Sequence, residues 1–436
     1  MDLANINRAL SAGEIDQSGL FPHLDSLKRA PYIFEIDFGL KTLPTKPGIL
    51  LIRGARQYGK STWLERELRH TIEKFGAGTA YYLNGENLLD ADRLEKEIDT
   101  LITAFSKKAT IRRIFIDEIT AIPKWEMALK RMADQGKLEN ILVITTGSKA
   151  TDLRRGGERL PGRKGRLDRT TYLFTPVAYK EFHRQCRHVL GDNTLIAYLL
   201  SGGSPIACTE LATNGMIPEF VIALVRDWIE GEIALSGRNR TSLLNIFDTI
   251  FRFGVTSVGQ AKLAREAGLA NNSVAAGYIE VLNDLGCIVP AYPWDFNRNL
   301  RVLRKPCKYH FTNLLAAVAY HASNMRAPND FLLLSEIEQG IWYEWLVAQE
   351  LLRRAAISGK EILAPLAFWQ TKQHEIDFVV SPTELIEVKR GSVFAIDFGW
   401  FAKQLPNQQL IVINQNSFET AKIRCMTLET FLLEEG

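Results

Sequence analysis

The chain has 436 residues, a length that predicts about two to four domains. Lysine and arginine total 53 and aspartate and glutamate total 50, so the net charge of +3 points to neither a nucleic acid nor a membrane surface. Apolar residues make up 46% and charged residues 24%, which excludes a disordered chain, a collagen-like repeat and a coiled coil as the main architecture.

The sequence also carries few signs of export. No apolar run approaches the ~18 residues needed to cross a bilayer, and the first residues lack the basic and apolar regions of a secretory signal. Five cysteines are scattered without a C-x-x-C pair, which argues against a structural zinc site and a disulfide framework. We therefore expect a cytoplasmic protein without a membrane partner.

A phosphate-binding loop is the most specific motif in the first third of the chain. The apolar run 48–53 predicts a buried strand, and the segment GARQYGKST that follows it matches G-x-x-x-x-G-K-[ST]. Backbone N–H groups of such a loop wrap a phosphate, Lys60 reaches the β- and γ-phosphates, and the Ser61 hydroxyl binds Mg²⁺. The motif predicts an ATP site, with Gly54 and Gly59 shaping the loop.

An acidic strand end supplies the second half of an ATPase site. The strand IFIDE places Asp117 and Glu118 at its carboxyl end, where α/β sheets bind ligands. Asp117 is expected to hold Mg²⁺ and Glu118 to polarise the attacking water. After the next strand, ILVIT, either Ser148 or Thr146 could sense the γ-phosphate, and a helix N-cap is an equally good interpretation of Ser148.

A stretch rich in glycine and arginine follows, TDLRRGGERLPGRKGRLDRT. It is interpreted either as a mobile solvated loop or as a segment in which one arginine contacts a nucleotide phosphate, in cis or from a neighbouring subunit. Arg163 is the candidate for that contact. The segment 171–174 then predicts a final core strand.

The middle of the chain changes to a helical pattern. Helices are predicted at 178–188, 193–200 and 219–233, followed by three helices and a two-stranded wing, the pattern of a winged helix. The wing carries basic residues without an acidic neighbour in that stretch: Arg298, Arg301, Arg304, Lys305 and Lys308. The presumed recognition helix instead carries Glu280 and Asp284. The module therefore either contacts the DNA backbone with weak sequence dependence or packs between domains.

The last hundred residues have the order α-β-β-β-α-β. Asp377 and the pair Glu387 and Lys389 fall on adjacent strands, and Glu344 lies on the preceding helix. Carboxylates in such an arrangement bind Mg²⁺ or Mn²⁺, with Asp377 and Glu387 as ligands, while Lys389 holds the attacking water or steadies the developing negative charge on phosphorus. The alternative is a retained nuclease fold in which the Glu387–Lys389 pair merely packs.

Together these motifs show a resemblance to a known family. The segments GARQYGKST, FIDEITAIPKWEMALKRMAD and VITTGSKATDL resemble AAA-type ATPases that carry a C-terminal domain of unknown function, DUF4143, and YEWLVAQEL, EIDFVV and IEVKR resemble its restriction-endonuclease-like tail. The resemblance covers 48 to about 415, and Arg56, Gln57 and Trp125 are its most specific marks. The chain departs from the family's acidic-glycine turn at Thr312 and Asn313.

The resemblance implies an α/β fold with an AAA-type P-loop core and a PD-(D/E)xK-like tail. The expected domains are an N-terminal extension at 1–45, the ATPase core at 46–176, a helical lid at 177–238, the winged helix at 239–315 and the tail at 330–436. The expected nucleotide contacts are Gly54, Arg56, Gln57, Gly59, Lys60, Ser61, Thr62, Asp117, Ser148 and Arg163.

Two functions follow from this reading. The first is an ATP-hydrolysing protein that acts on nucleic acid, with ATP and Mg²⁺ in the core and a second Mg²⁺ or Mn²⁺ in a nuclease-like tail whose catalytic residues are Glu344, Asp377, Glu387 and Lys389. The second is an ATP-dependent switch or scaffold that binds DNA or a protein partner, or forms a homo-oligomer, and does not cleave.

Overall fold

The computed structural model describes residues 3–148, 150–360 and 366–434. The chain divides into two compact units, the first ending at Thr175 and the second beginning at Pro176. Across these described ranges, the helices are all too short or too polar to cross a membrane. The finer domain boundaries stay a prediction.

The first unit is built on one parallel sheet. Its strands are β1 (Gly48–Arg53), β2 (Ala80–Asn84), β3 (Arg113–Asp117), β4 (Leu142–Gly147) and β5 (Thr171–Leu173). Their order is β2-β3-β4-β1-β5, and every neighbouring pair is parallel. Near-continuous burial of β1, β3 and β4 is typical of strands covered on both faces. The α/β class with a parallel-sheet P-loop core is confirmed.

Helices cover both faces of this sheet. They are α1 (Leu3–Ala12), α2 (Pro22–Leu27), α3 (Lys60–Phe75), α4 (Ala91–Ala104), α5 (Trp125–Asp134) and α6 (Ala150–Glu158). One buried cluster joins the sheet to α4 and α5, and a second joins its other face to α1 and α3. The N-terminal extension also covers the edge strand β2, because the Asn7 amide donates to the Tyr82 carbonyl at 2.8 Å and accepts from the Tyr82 N–H at 2.8 Å.

The arginine-rich stretch departs from the predicted mobile loop, since it begins with α6. Leu153 and Leu160 are buried in the sheet's core, which gives the segment an apolar side. Its glycines have a packing role: a Cβ at Gly156 would lie 2.3 Å from the Trp125 ring. The glycine therefore allows a close approach of two helices and does not mark a loop.

The second unit opens with helices. They are α7 (Tyr179–Leu190), α8 (Thr194–Ser201), α9 (Pro205–Asn214), α10 (Glu219–Leu235), α11 (Arg240–Phe253), α12 (Gln260–Glu266) and α13 (Asn272–Asp284). Three strands follow, β6 (Ile288–Asp295), β7 (Leu300–Arg301) and β8 (Lys308–Phe311), and β6 pairs antiparallel with both others. Three helices followed by this hairpin have the element order of the predicted winged helix, which itself stays a prediction. Helix α9 lies between 200 and 219, where no helix was predicted.

Two further helices, α14 (Leu314–Tyr320) and α15 (Pro328–Leu332), lead into the tail, which begins with α16 (Glu336–Ile357). The tail continues with β9 (Ala367–Gln370), β10 (Glu375–Ile376), β11 (Phe378–Ser381), β12 (Glu384–Val388), α17 (Phe401–Gln404), β13 (Gln409–Ile413), β14 (Phe418–Glu419), β15 (Ile423–Met426) and α18 (Leu428–Leu433). The mixed sheet β11-β12-β13-β15-β14 confirms a C-terminal α/β domain.

The wing and the tail share a second sheet. Strand β6 of the wing pairs in parallel with β9, and β9 pairs with β10, giving the order β10-β9-β6-β7. The segment EIDFVV was expected to be one strand, but it divides at Asp377 into β10 and β11, which pair with different partners. Asp377 therefore lies where the wing's sheet passes into the tail's sheet.

Candidate functional site

The loop between β1 and α3 has the geometry of a phosphate cradle. Gln57 and Gly59 have φ of 61° and 97°, in the left-handed region, and Gly59 is the residue from which α3 begins. A Cβ at Gly54 would lie 2.8 Å from the Phe174 Cβ, so the first glycine lets the loop leave β1 beside β5. The unpaired N–H groups at the start of α3 are thereby available to an anion.

Lys60 is buried inside this loop. Its Nζ donates to the carbonyls of Gly54 at 2.9 Å and Ala55 at 2.8 Å. Burial lowers the pKa of Lys60 to about 8, against the opposing charges of Glu118 and Asp117. A bound phosphate would add negative charge beside the ammonium and favour its protonated form.

Asp117 ends β3 next to a hydroxyl from the neighbouring strand. The carboxylate is buried, and the Thr146 hydroxyl donates to its Oδ1. The same hydroxyl oxygen accepts from the Glu118 N–H at 3.1 Å. Thr146, one of the two sensor candidates, thus fixes the strand end that carries both acids.

Glu118 is held by neutral donors in an uncommon backbone conformation. The φ of Glu118 is 49°, in the left-handed region. A Cβ at position 85 would lie 2.3 Å from the Glu118 carbonyl oxygen, so a glycine is needed at position 85. Glu118 Oε1 accepts from Thr120 Oγ1 at 2.7 Å, Ser148 Oγ at 2.8 Å and Ser148 N at 2.9 Å.

These contacts decide the charge of Glu118. Burial by itself would raise the pKa of its carboxyl, but the hydrogen bonds from Ser148 and Thr120 and the charge of Lys60 outweigh burial and lower it. The carboxylate is therefore ionised at neutral pH and can accept a hydrogen bond from a water molecule.

Hard oxygen donors near the loop fit a magnesium ion. The Ser61 hydroxyl is half-buried at the start of α3, and the Asp117 carboxylate ends the strand that pairs with β4, which itself pairs with β1. Ser61 and Asp117 would hold Mg²⁺, which supplies positive charge to phosphate oxygens when bound.

The other predicted nucleotide contacts differ in exposure. Arg56 and Gln57 are exposed and Thr62 is half-buried, so their roles stay predictions. Arg163 is engaged elsewhere, because its Nε pairs with Asp134 at 2.6 Å and its Nη1 donates to the Pro161 carbonyl at 3.1 Å.

The tail brings the predicted carboxylates together. Phe378 pairs with Ile386, so Asp377 and Glu387 are neighbours on adjoining strands, and the Asp377 N–H donates to Glu387 Oε2 at 3.1 Å. Asp377 Oδ2 accepts from the Val388 N–H at 2.9 Å.

Lys389 and Glu344 complete the predicted set. Lys389 forms an ion pair with Glu387 Oε1. Glu344, buried on α16, joins the set through another side chain, Lys308.

Lys308 is the cation at the centre of these carboxylates. Its side chain has an exposed fraction of 0%, and its Nζ lies 2.7 Å from Glu375 Oε1, 3.0 Å from Asp377 Oδ1 and 3.2 Å from Glu344 Oε1. We call Lys308, Glu344, Glu375 and Asp377 the Lys308 cluster. The expectation that Lys308 contacts DNA is wrong, because a fully buried ammonium with these partners cannot reach a phosphate.

The pKa values of these acids are shifted in opposite directions: burial raises them, and the two lysines lower them. Burial, together with the charge of Asp377, raises the pKa of both Glu344 and Glu387 to about 8. Burial would also raise the pKa of Asp377, but the ammonium groups of Lys308 and Lys389 outweigh it and lower that pKa. Much of the negative charge in this region is therefore removed by protons and lysines of the chain itself.

A divalent cation does not fit this arrangement. Lys308 Nζ lies within hydrogen-bond distance of Asp377, one of the two carboxylates expected to bind metal, and Lys389 pairs with the other, Glu387. Across 3–148, 150–360 and 366–434, no group of three or more His, Cys, Asp or Glu side chains is arranged to hold a metal ion. The geometry thus gives no support to a second Mg²⁺ or Mn²⁺ held by Asp377 and Glu387.

Two of the remaining wing cations, Arg298 and Arg301, are less available to DNA than the sequence suggests. Arg298 has an acidic neighbour after all, since its Nε lies 3.8 Å from Asp295. Arg301 is half-buried, with its guanidinium 6.0 Å from the Trp294 ring centre. The exposed side chains of the set are Arg298, Arg304 and Lys305.

The sequence analysis did not predict the buried side chains that surround Lys308. Residues two apart on a strand share a face, so KYHF places Lys308 and His310 side by side, and both are buried. His310 Nε2 lies 2.9 Å from Glu344 Oε1, and burial lowers the pKa of the imidazole to about 3, so the ring is neutral. A lysine between buried strand residues was the available signal.

The turn that departs from the family pattern has a local role. Asn313 precedes α14, and its Oδ1 accepts from the Ala316 N–H at 3.2 Å, while Thr312 Oγ1 donates to the Gly286 carbonyl at 2.8 Å. Asparagine is among the preferred N-cap residues and can do what an aspartate does there. The departure therefore leaves the helix start intact.

Comparison with known proteins agrees with the geometry of the first unit. Residues 46–183 match the family model described as an AAA domain, and this segment is an AAA-type P-loop ATPase domain. No match was found among curated protein sequences.

Several solved structures show similarity to the chain. The Walker-type ATPase PABY2304 of Pyrococcus abyssi matches at 14% identity and a TM-score of 0.42, covering 69% of this chain and 94% of that chain. The ORC1 protein of Aeropyrum pernix in complex with DNA matches at 14% and 0.33, covering 69% and 91%. The ORC2 protein of the same organism, in ADPNP–ADP complexes, matches at 13% and 0.38, covering 76% and 94%.

Proposed function

We propose that this chain binds ATP with Mg²⁺ and hydrolyses it in the first unit. The proposal rests on the Glu118 carboxylate, which three neutral donors keep ionised. This carboxylate lies at the carboxyl ends of the parallel strands, where the phosphate loop also lies. Neutral donors keep a carboxylate ionised without cancelling its charge, as a group that polarises water requires. Lys60, Ser61 and Asp117 supply the charge and oxygen ligands for the triphosphate and its metal.

Each residue has a separable role in this proposal. The loop N–H groups and Lys60 bind the β- and γ-phosphates, so they act mainly on affinity. Glu118 acts on the attacking water, so it affects turnover. Ser148 and Thr146 act through the acids that they hydrogen-bond, and sensing of the γ-phosphate by Ser148 is part of the proposal.

The test separates binding from turnover. Lys60→Ala should lose ATP binding in calorimetry, whereas Glu118→Gln should bind ATP and release no phosphate. Lys74→Ala on the same helix and Glu86→Gln after β2 are matched controls, because both side chains are exposed. Tight ATP binding by Lys60→Ala, or phosphate release by Glu118→Gln at the parent rate, would contradict the assignment.

A second candidate concerns the action on nucleic acid. The occupied Lys308 cluster favours an ATP-dependent switch that binds DNA without cutting it over a metal-dependent nuclease. The pure protein is incubated with plasmid and with single-stranded DNA and RNA, each with Mg²⁺ or Mn²⁺ and with or without ATP. Intact substrates are expected. Cleavage that disappears in Asp377→Ala would restore the nuclease reading.

DNA contact by the wing can be tested by its salt dependence. The proposal assigns the contact to the exposed Arg304 and Lys305. Each phosphate contact contributes about 0.9 to the slope of log affinity against log salt. Changing both residues to Ala should lower affinity in fluorescence anisotropy and flatten the slope by about 2. An unchanged slope would favour the alternative in which this module serves only for packing.

A further inference from the structure

The Lys308 cluster is assembled from three separate segments of the second unit. Lys308 is the first residue of β8 in the wing, and Glu344 lies in the middle of α16. Glu375 opens β10, and Asp377 stands between β10 and β11. The cluster therefore joins residues that are up to 69 positions apart in sequence.

The contacts match the bonding capacity of an ammonium group. A lysine ammonium has three N–H donors and no acceptor. Lys308 Nζ has three carboxylate oxygens around it, at 2.7, 3.0 and 3.2 Å, each from a different residue. These are N–H···O distances, whereas Mg²⁺ holds its oxygens at about 2.0–2.1 Å.

We propose that Lys308 is the resident cation of this carboxylate site and takes the place of a divalent metal. The ammonium is the ligand for which the site is built, and it fastens the wing strand β8 to α16 and to the strands of the tail. The inference goes beyond ATP hydrolysis and needs neither ATP nor DNA for its test.

Physical reasons favour a lysine that stays in place. An ammonium or carboxylate buried without a partner is strongly unfavourable, so neither Lys308 nor the acids can separate without a replacement. Strand β8 also pairs with β6, which pairs with β9, so backbone hydrogen bonds tie the strand that carries the lysine to the tail. A metal ion would have to displace a group that the fold itself positions.

The side of the site occupied by Lys389 does not offer a second place for metal. Lys389 pairs with Glu387, and the Asp377 N–H donates to the other oxygen of Glu387. Both Glu387 oxygens thus have partners from the chain. Asp377 likewise uses one oxygen for Lys308 and the other for the Val388 N–H.

The test measures Mn²⁺ binding by the nucleotide-free full chain with isothermal titration calorimetry. The parent protein and Asp377→Asn are compared first. Because no Mn²⁺ is expected at the cluster, their isotherms should coincide, including any weak binding at the phosphate loop. A stoichiometric Mn²⁺ site in the parent that Asp377→Asn removes would overturn the proposal without any change at Lys308.

The lysine is then removed in a shape-conserving way. Lys308→Met should gain one Mn²⁺ site, and adding Asp377→Asn to that variant should remove the site again. Lys305→Met is the matched control, since this lysine lies three positions away and is exposed, and it should gain nothing. A folded Lys308→Met protein without a new site would also overturn the proposal, and if this variant does not fold, the first comparison still decides.

Discussion

Removing the ammonium of Lys308 is the perturbation with the largest expected effect on stability. The side chain is fully buried and contacts three carboxylates, so Lys308→Met leaves Glu344, Glu375 and Asp377 facing one another without their shared cation. Removing one partner of a buried ion pair costs about 3–5 kcal/mol of the free energy of unfolding. For a unit of this size, that loss corresponds to a fall of about 6–20 °C in unfolding temperature.

Scanning calorimetry of the full chain measures this fall. Lys305→Met is the control, because changes at exposed side chains stay within about 0.5 kcal/mol. The double variant Lys308→Met with Asp377→Asn is the sharper test, since the neutral amide introduced by the second substitution removes one of the charges left unpaired. The double variant should unfold no lower than Lys308→Met alone.

Two results would refute this reasoning. One is a Lys308→Met protein that unfolds within about 1 °C of the parent, because a buried charge with such contacts cannot be neutral in energy. The other is a double variant whose loss equals the sum of the two single losses, because additivity means that the two residues do not interact.

Three further predictions concern single side chains. Ser148→Ala removes the hydroxyl donor, one of the hydrogen bonds that keep Glu118 ionised, so the acid limb of the ATPase pH profile should move to higher pH; an unmoved limb would remove Glu118 from that step. Burial raises the pKa of Glu65 to about 7 from 4.5, so the protonated carboxyl contributes fully to stability below pH 4.5, and this contribution is lost as the pH rises through 7. Glu65→Gln should therefore make the unfolding temperature less dependent on pH between pH 5 and 8. Asn313→Ala should cost about 1 kcal/mol in denaturant unfolding and Asn313→Asp much less, and equal losses would argue against the cap.

The first unit could be predicted from sequence because its signals are local. A buried strand, a glycine loop and a helix follow one another within 48–75, and each has its own pattern of residues. Asp117 ends β3 and Glu118 follows it, so the parallel sheet alone brings both acids to the carboxyl ends of the strands, where the loop begins. The mobile-loop interpretation of the segment that forms α6 was wrong because its signal is not local: the role of Gly156 depends on Trp125, which is distant in sequence.

The tail site was harder to predict because its decisive residue comes from another segment. The order of strands and the pairing of Asp377 with Glu387 follow from local patterns. The position of Lys308 follows from β6 pairing with β9, a parallel contact that nothing in the local sequence specifies. Charge alone was misleading here, since a lysine in a basic stretch resembles a surface residue until the strand burying it is known.

The two acidic sites differ in the groups that contact their carboxylates. Around Asp117 and Glu118 the contacts within hydrogen-bond distance are hydroxyl and backbone N–H groups, which orient the acids and leave their charge for an external cation. In the Lys308 cluster the contact is an ammonium, which offsets part of the negative charge and already occupies the oxygens that an incoming metal would need. Similar acids at strand ends thus have opposite capacities. The residue that decides between them is the cation or hydroxyl that another strand contributes, so replacing Lys308 by a neutral side chain should convert the second kind of site into the first.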